Sequence, residues 1–259
     1  MDITHQSSTE HPVVRHVMPS YTLRWLRLGW RDIKKSPVDA LFYGAAFVLM
    51  GYFLSYYFSE APQIVITLSA LFLLAGPFLA IGLYDLARQM EAFDGQGRAS
   101  LLHSMVAWRG NIQAFSLYAV LLAVVVFAWF RVSLLMFALF YDTAALPSID
   151  DILRNALLPE NLPFMLVYFG TGFFFAALVY GCSVIAMPMM LDKEVDTITA
   201  MVNSLQAVYK NVLTMLLWAV IIVGLTAVGF ATMYLGLILT VPLVGFASWH
   251  AYRDLVSYQ

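Results

Sequence analysis

The chain has 259 residues, 61% of them hydrophobic and 12% charged, with a formal net charge of -2 and a mean hydropathy of +0.78. Soluble domains carry about a quarter of their residues as charges, so this composition excludes an ordinary soluble fold and points to a bilayer. Cys182 is the only cysteine, which excludes an intrachain disulfide and any multi-cysteine metal or iron–sulfur centre.

In chain order, the first 37 residues contain His5, Glu10, His11, Arg15 and His16 and no long apolar stretch. Residues 1–20 are therefore expected to form a flexible cytoplasmic tail without a cleavable signal peptide. Six apolar runs follow, at about 38–58, 62–84, 112–132, 164–190, 212–232 and 234–252, each near the roughly 20 residues that a helix needs to cross about 30 Å of hydrocarbon. They are continuously apolar and lack the two-residue alternation of lipid-facing strands, which argues against a barrel. The fifth and sixth runs are nearly continuous, so a tight turn is expected near Thr232 to Gly236. With an inner N-terminus, twelve of the fourteen Lys and Arg residues fall on the inner side, leaving Arg131 and Arg154 outside. This bias predicts that both termini are cytoplasmic. The loop between the third and fourth runs carries Asp142, Asp150, Asp151 and Glu160, an acidic outer face.

The segments before the first, third and fifth runs share a pattern. WLRLGWRDIKKS (25–36), SLLHSMVAWRGN (100–111) and AMVNSLQAVYKN (200–211) align Gly29 with Ser104 and Ser204, and Ser36 with Asn111 and Asn211. Apolar residues recur at helical spacing: Leu26, Trp30 and Ile33; Leu101, Met105 and Trp108; Met201, Leu205 and Val208. Such a helix suits a membrane surface, with its apolar stripe among headgroups and its bases toward anionic lipid. Ser36, Asn111 and Asn211 stand where they could cap the following span. The expected fold is all-α: six transmembrane helices in three pseudo-repeated hairpins, each preceded by an amphipathic surface helix. The units cover about 21–90, 96–192 and 196–256, within one membrane domain over 21–259.

From WLRLGWRDIKKSPVDALFYG to VGFASWHAYRDLV, the chain resembles the bacterial integral-membrane domain-of-unknown-function family 2189. MPMMLDKEVDTITAMVNSLQAVYKN is also similar to a motif of other uncharacterised six-helix bacterial membrane families. The resemblance implies a multi-pass protein of the bacterial inner membrane and supplies no reaction. Some members carry a cytochrome c oxidase subunit I label. Such a core needs several histidines inside the bilayer, whereas three of the five histidines here lie in the tail, His103 in an expected surface helix and His250 at the inner end of the sixth run.

No H-E-x-x-H, G-x-S-x-G or Walker loop occurs, and Gly-Gln-Gly at 95–97 reads as a turn. Arg131 lies about 28 Å along a helix from Ile112 at 1.5 Å per residue, near the outer boundary, where it can snorkel. Pro77, Pro188 and Pro242 stand in apolar surroundings and read as packing kinks. Asp85, Asp192 and Asp254 follow these proline arms and are expected to form structural ion pairs with Arg88, Lys193, Arg253 or the basic surface helices.

The leading expectation is a non-catalytic accessory or scaffold subunit of a membrane complex, with no cofactor, no metal and no nucleic-acid partner. Its partners would be the lipid bilayer and another membrane protein or a second copy. The alternative is a transporter or channel for a small neutral or lipid-like solute, with a cavity lined by Tyr84, Tyr180, Ser183 and Thr226.

Overall fold

The computed structural model describes residues 11–60, 78–93, 99–140 and 162–259. Pro77, the turn at 95–97, the acidic residues of the outer loop and much of the second expected span lie outside the described residues. In chain order the elements are β1 (Pro12–Val14), α1 (Tyr21–Lys35), α2 (Pro37–Glu60), α3 (78–92), α4 (Leu101–Met105), a 3-10 turn (Ala107–Asn111), α5 (Ile112–Phe140), α6 (Leu162–Ser183), α7 (Ala186–Lys193), α8 (Thr197–Lys210), α9 (Val212–Ala231), α10 (Leu237–Leu255) and β2 (Val256–Tyr258).

Among the described residues four helical stretches are long and apolar enough to cross a membrane: Pro37–Tyr56, Ala107–Phe140, Leu162–Lys193 and Val212–Ala231. Each leaves large apolar side chains outside, as Val120, Val124 and Phe127 do on α5, Phe169 and Phe173 on α6, and Leu216, Val220 and Val223 on α9. Water would penalise such faces, whereas lipid matches them.

The sixth expected span does form a helix, α10, of 19 residues, long enough to cross a membrane but less apolar than the four candidate spans. Its sequence is diluted by Ser248, His250, Arg253 and Asp254, because α10 is the buried centre against which α1, α2 and α9 pack. Phe246, Ala247, Trp249, Ala251, Tyr252 and Leu255 are at most 1% exposed. Polar side chains are tolerated there because they pair within the protein rather than meeting lipid.

Close backbone approach holds this centre together. Lipid tails are as apolar as the side chains, so helix association in a bilayer depends on dense packing and polar contacts. Pro242 has no N–H and so deprives the Ile238 carbonyl of its usual partner four residues on. Gly44 of α2 packs against that same carbonyl, where a Cβ would stand 2.2 Å from the Ile238 oxygen. Gly29 of α1 meets the next turn, where a Cβ would lie 2.9 Å from Ala247 N and 3.0 Å from Leu243 O. Pro188 acts more severely. Its ring conflicts with the carbonyl four residues back, at Val184, and the helix is interrupted between α6 and α7 at residues 184–185. Ser204 Oγ accepts the Ile185 N–H at that break, at 3.1 Å.

On the helices preceding the first and fifth expected spans, small and polar positions face the protein. On α1 the buried residues are Thr22, Trp25, Gly29, Asp32 and Ile33, while Trp30 is 43% exposed. On α8 they are Thr197, Ala200, Asn203, Ser204 and Ala207, and Leu205 is exposed. Small and polar positions turn inward because they permit the close approach to α10 and α7, while Trp30, Met105 and Leu205 of the apolar stripes turn outward. Trp25 also packs edge-on against Trp218 at 5.5 Å, a contact that contributes about 1 kcal/mol beyond burial.

The tail requires a correction too. Residues 11–20 are not a loose arm: β1 pairs antiparallel with β2, Val13 opposite Ser257. Asn211 secures the continuation, accepting from Val17 N at 2.8 Å and donating to Arg15 O at 2.9 Å, and Thr214 donates to Val17 O at 3.0 Å. Asn211 makes no capping bond to the span that follows it, since its amide is engaged by this segment. Asn111 behaves alike, donating from Nδ2 to Met190 O at 3.1 Å and to Val195 O at 2.9 Å, while Thr197 donates to Ala114 O.

Candidate functional site

The polar side chains gather where α3, α7 and α10 end and α4, α5 and α8 begin. Asp85 on α3 is fully buried. Its carboxylate accepts from Arg88 at 2.6 Å, from Gln89 Nε2 at 2.6 Å and from His103 Nδ1 at 2.8 Å. Arg88 and Gln89 reach it because positions three and four residues on share a helix face. His103 arrives from α4, whose start Ser100 caps by accepting His103 N. Three donors, one of them a guanidinium, are what a carboxylate needs to remain buried.

Asp192 at the end of α7 accepts from Tyr252 OH at 2.7 Å and lies 3.5 Å from Arg253. Asp254 on α10 accepts from Trp25 Nε1 at 2.9 Å and from Arg24 at 3.1 Å. Glu91 joins the same belt, accepting from Trp249 Nε1 at 3.0 Å and pairing with Arg253 at 3.1 Å. The three acids singled out in the sequence thus each hold a base and tie different helices together.

A cavity of about 220 Å³ opens beside this belt, between α3, α4, the 3-10 turn and α7, with Arg88, His103, Asn111 and Glu194 among its walls. Glu194 ends α7 in the left-handed region at φ 51°. A side chain there costs about 1 kcal/mol or more, which an ordinary helix end avoids by using Gly. Arg88 also donates to Leu191 O at 2.8 Å, so the cavity wall is braced from both sides.

The four side chains proposed to line a transport path do not converge on this cavity. Tyr180 OH donates to Met215 O at 2.7 Å. Ser183 donates to Val179 O within its own helix and accepts from Tyr118 OH at 2.7 Å. Thr226 donates to Ile222 O one turn back, at 2.8 Å. Tyr84 is partly buried against the core, with Ser248 as its hydroxyl neighbour. None of the four is among the cavity walls.

A family model described as a predicted integral membrane protein, DUF2189, matches residues 64–192. Over that segment the chain belongs to this family. The DUF2189 match takes in α3, α4, the 3-10 turn, α5, α6 and all but the last residue of α7, and with them Asp85, Arg88, His103 and Asn111. Neither a curated protein nor a solved structure matches the chain. The chain is thus an integral membrane protein with several apolar helices.

Sequence reasoning had placed His103 on a surface helix and gave Glu91 and Glu194 no role. The three-residue spacing of Asp85 and Arg88 was visible. The approach of His103, eighteen residues along the chain, and of Glu194 from another helix, was not. Among the described residues no cluster of three or more His, Cys, Asp or Glu side chains has metal-site geometry.

Proposed function

We propose that this is a six-span protein of a bacterial inner membrane, with both termini cytoplasmic, that acts without catalysis of its own as an accessory or scaffold subunit of a membrane complex. The spans would form three units arranged in a ring. Supporting this order, Asn111 of the second unit binds the connector into the third, and Asn211 of the third binds the connector into the first. Gly29 of the first unit packs on the proline arm of the third, and Ser204 of the third on the proline arm of the second. The outward apolar residues of the preceding helices, Trp30, Leu102 and Leu205 among them, would rest among headgroups.

The observation that carries the scaffold role is the breadth of the apolar outer faces that the described helices present. The hydroxyls of Tyr180, Ser183 and Thr226 are bonded to main-chain carbonyls, which disfavours a solute path through them. Such a protein presents packing surface rather than a reaction centre. Purification in mild detergent, with identification of co-purifying membrane proteins, tests the role. A reproducible stoichiometric partner is expected, and a monodisperse particle that never carries one would refute the reading.

A further inference from the structure

The cavity beside Asp85 has a composition that the scaffold role does not require. Its donors and acceptors are unevenly arranged. Arg88 spends one nitrogen on Asp85 and another on Leu191 O, and a guanidinium has five N–H groups, so it retains donors for a ligand. His103 gives its Nδ1 to Asp85, which in the neutral ring leaves Nε2 as an acceptor. Asn111 uses both described side-chain bonds through Nδ2, leaving its carbonyl oxygen. Glu194 is exposed and has no ion pair or hydrogen bond among the described residues.

Charge selects among ligands. Arg88 is balanced by buried Asp85, and Glu194 adds a further negative charge, so these three groups sum formally to -1. A simple anion is disfavoured there, and a ligand with a cationic group as well as an anionic one is favoured. Position selects further. The cavity lies where one apolar stretch begins at Ala107 and another ends at Lys193, the level at which headgroups sit. A volume of about 220 Å³ equals roughly seven waters at about 30 Å³ each, ample for one small headgroup.

The geometry points to a binding site for a zwitterion that pairs a primary ammonium with a phosphate, as in an ethanolamine phosphate ester. The phosphate would take the free N–H groups of Arg88, and the ammonium would donate to Glu194, His103 Nε2 and the Asn111 carbonyl. A trimethylated amine lacks the three N–H donors and would leave those acceptors unmet. The site stands independently of the scaffold role.

Two variants test it without disturbing the fold. Glu194→Gln removes the unpaired charge. Gly110→Leu fills the cavity, since a Cβ at Gly110 meets only Glu194 Oε1, at 3.8 Å. The full chain is reconstituted in phosphatidylcholine nanodiscs into which phosphatidylethanolamine is titrated, and native mass spectrometry reads the retained lipid. In parallel, O-phosphoethanolamine is titrated into the detergent-solubilised chain and the melting temperature followed. A preference of about tenfold for phosphatidylethanolamine, or a rise in melting temperature with the soluble ester, is expected, and either variant should remove most of it. Response in the lipid arm assigns a bilayer ligand; response only to the ester assigns a soluble one. Equal retention of the two lipids with no response to the ester overturns the site, as does a response that survives both variants.

Discussion

His250 Nε2 donates to Asp32 Oδ2 across 2.6 Å, joining the last long helix to the first, with the two side chains only 15% and 4% exposed. α1 is thereby fixed to α10 by a buried polar bond as well as by the close approach of Gly29. Removing one member leaves the other buried without its partner, and such losses typically cost about 3 kcal/mol or more. Asp32→Ala and His250→Ala should each lower thermal stability in detergent by that order. The double variant should cost clearly less than the sum, because the orphaned group is gone; full additivity would show that the pair is not coupled.

Gly44 and Gly170 give opposite expectations for the same substitution. Gly44→Ala places a methyl 2.2 Å from the Ile238 oxygen, a backbone atom that cannot turn aside. A destabilisation of about 2 kcal/mol or more is expected from overpacking. At Gly170, on α6, an added Cβ meets nothing within 4 Å. Gly170→Ala should be neutral or stabilising by up to about 1 kcal/mol, since alanine is the better helix former. Denaturation of both in one detergent checks the contrast; similar behaviour would mean that α2 does not pack on α10 as described.

Asp196 starts α8 by accepting Thr199 N at 3.0 Å. Hydrogen bonds from the Thr199 side chain and N–H hold its carboxyl below the ordinary carboxylate value. The sign follows directly. A group whose pKa is depressed by folding contributes fully above its unfolded value and loses that contribution as pH falls through the lower folded value. Asp196→Ala should cost about 1 kcal/mol near neutrality. Asp196→Asn should retain most of the cap and lose the acid-dependent step, read by amide exchange in α8 as pH is lowered. An unchanged acid step in the Asn variant would assign it to another group.

Asn211 holds the N-terminal segment by bonds to Val17 N and Arg15 O. Asn211→Ala should release residues 11–17 and β1 while leaving the spans folded. Limited trypsin digestion at Arg15 should accelerate by about tenfold, equivalent to about 1.4 kcal/mol of lost local protection. Unchanged cleavage would show that the β1–β2 pairing and Lys210, which donates to Val14 O, suffice alone.

The sequence by itself determined the medium and much of the secondary structure. Apolar runs of about 20 residues need no partner to declare a bilayer helix, because length and transfer energy are local quantities. The same locality made Asp85 and Arg88 readable as one face of α3, and Pro188 as a kink, where the structure interrupts the helix outright at residues 184–185. Tertiary structure decided what those residues meet. α10 reads as a weak span because its polar residues are answered by Asp32, Trp25 and Glu91 from other helices, which no window along the chain can register. The inward face of α1 carries Gly29, where backbone approaches backbone, beside Trp25 and Ile33, while Trp30 of the apolar stripe turns outward: where helices meet in a bilayer protein, packing density counts beside hydrophobicity. Asn211 was legible as a helix start but serves as a staple, since its partners lie 194 and 196 residues away. The cavity at Arg88 exists only because separate helix ends are brought to one level.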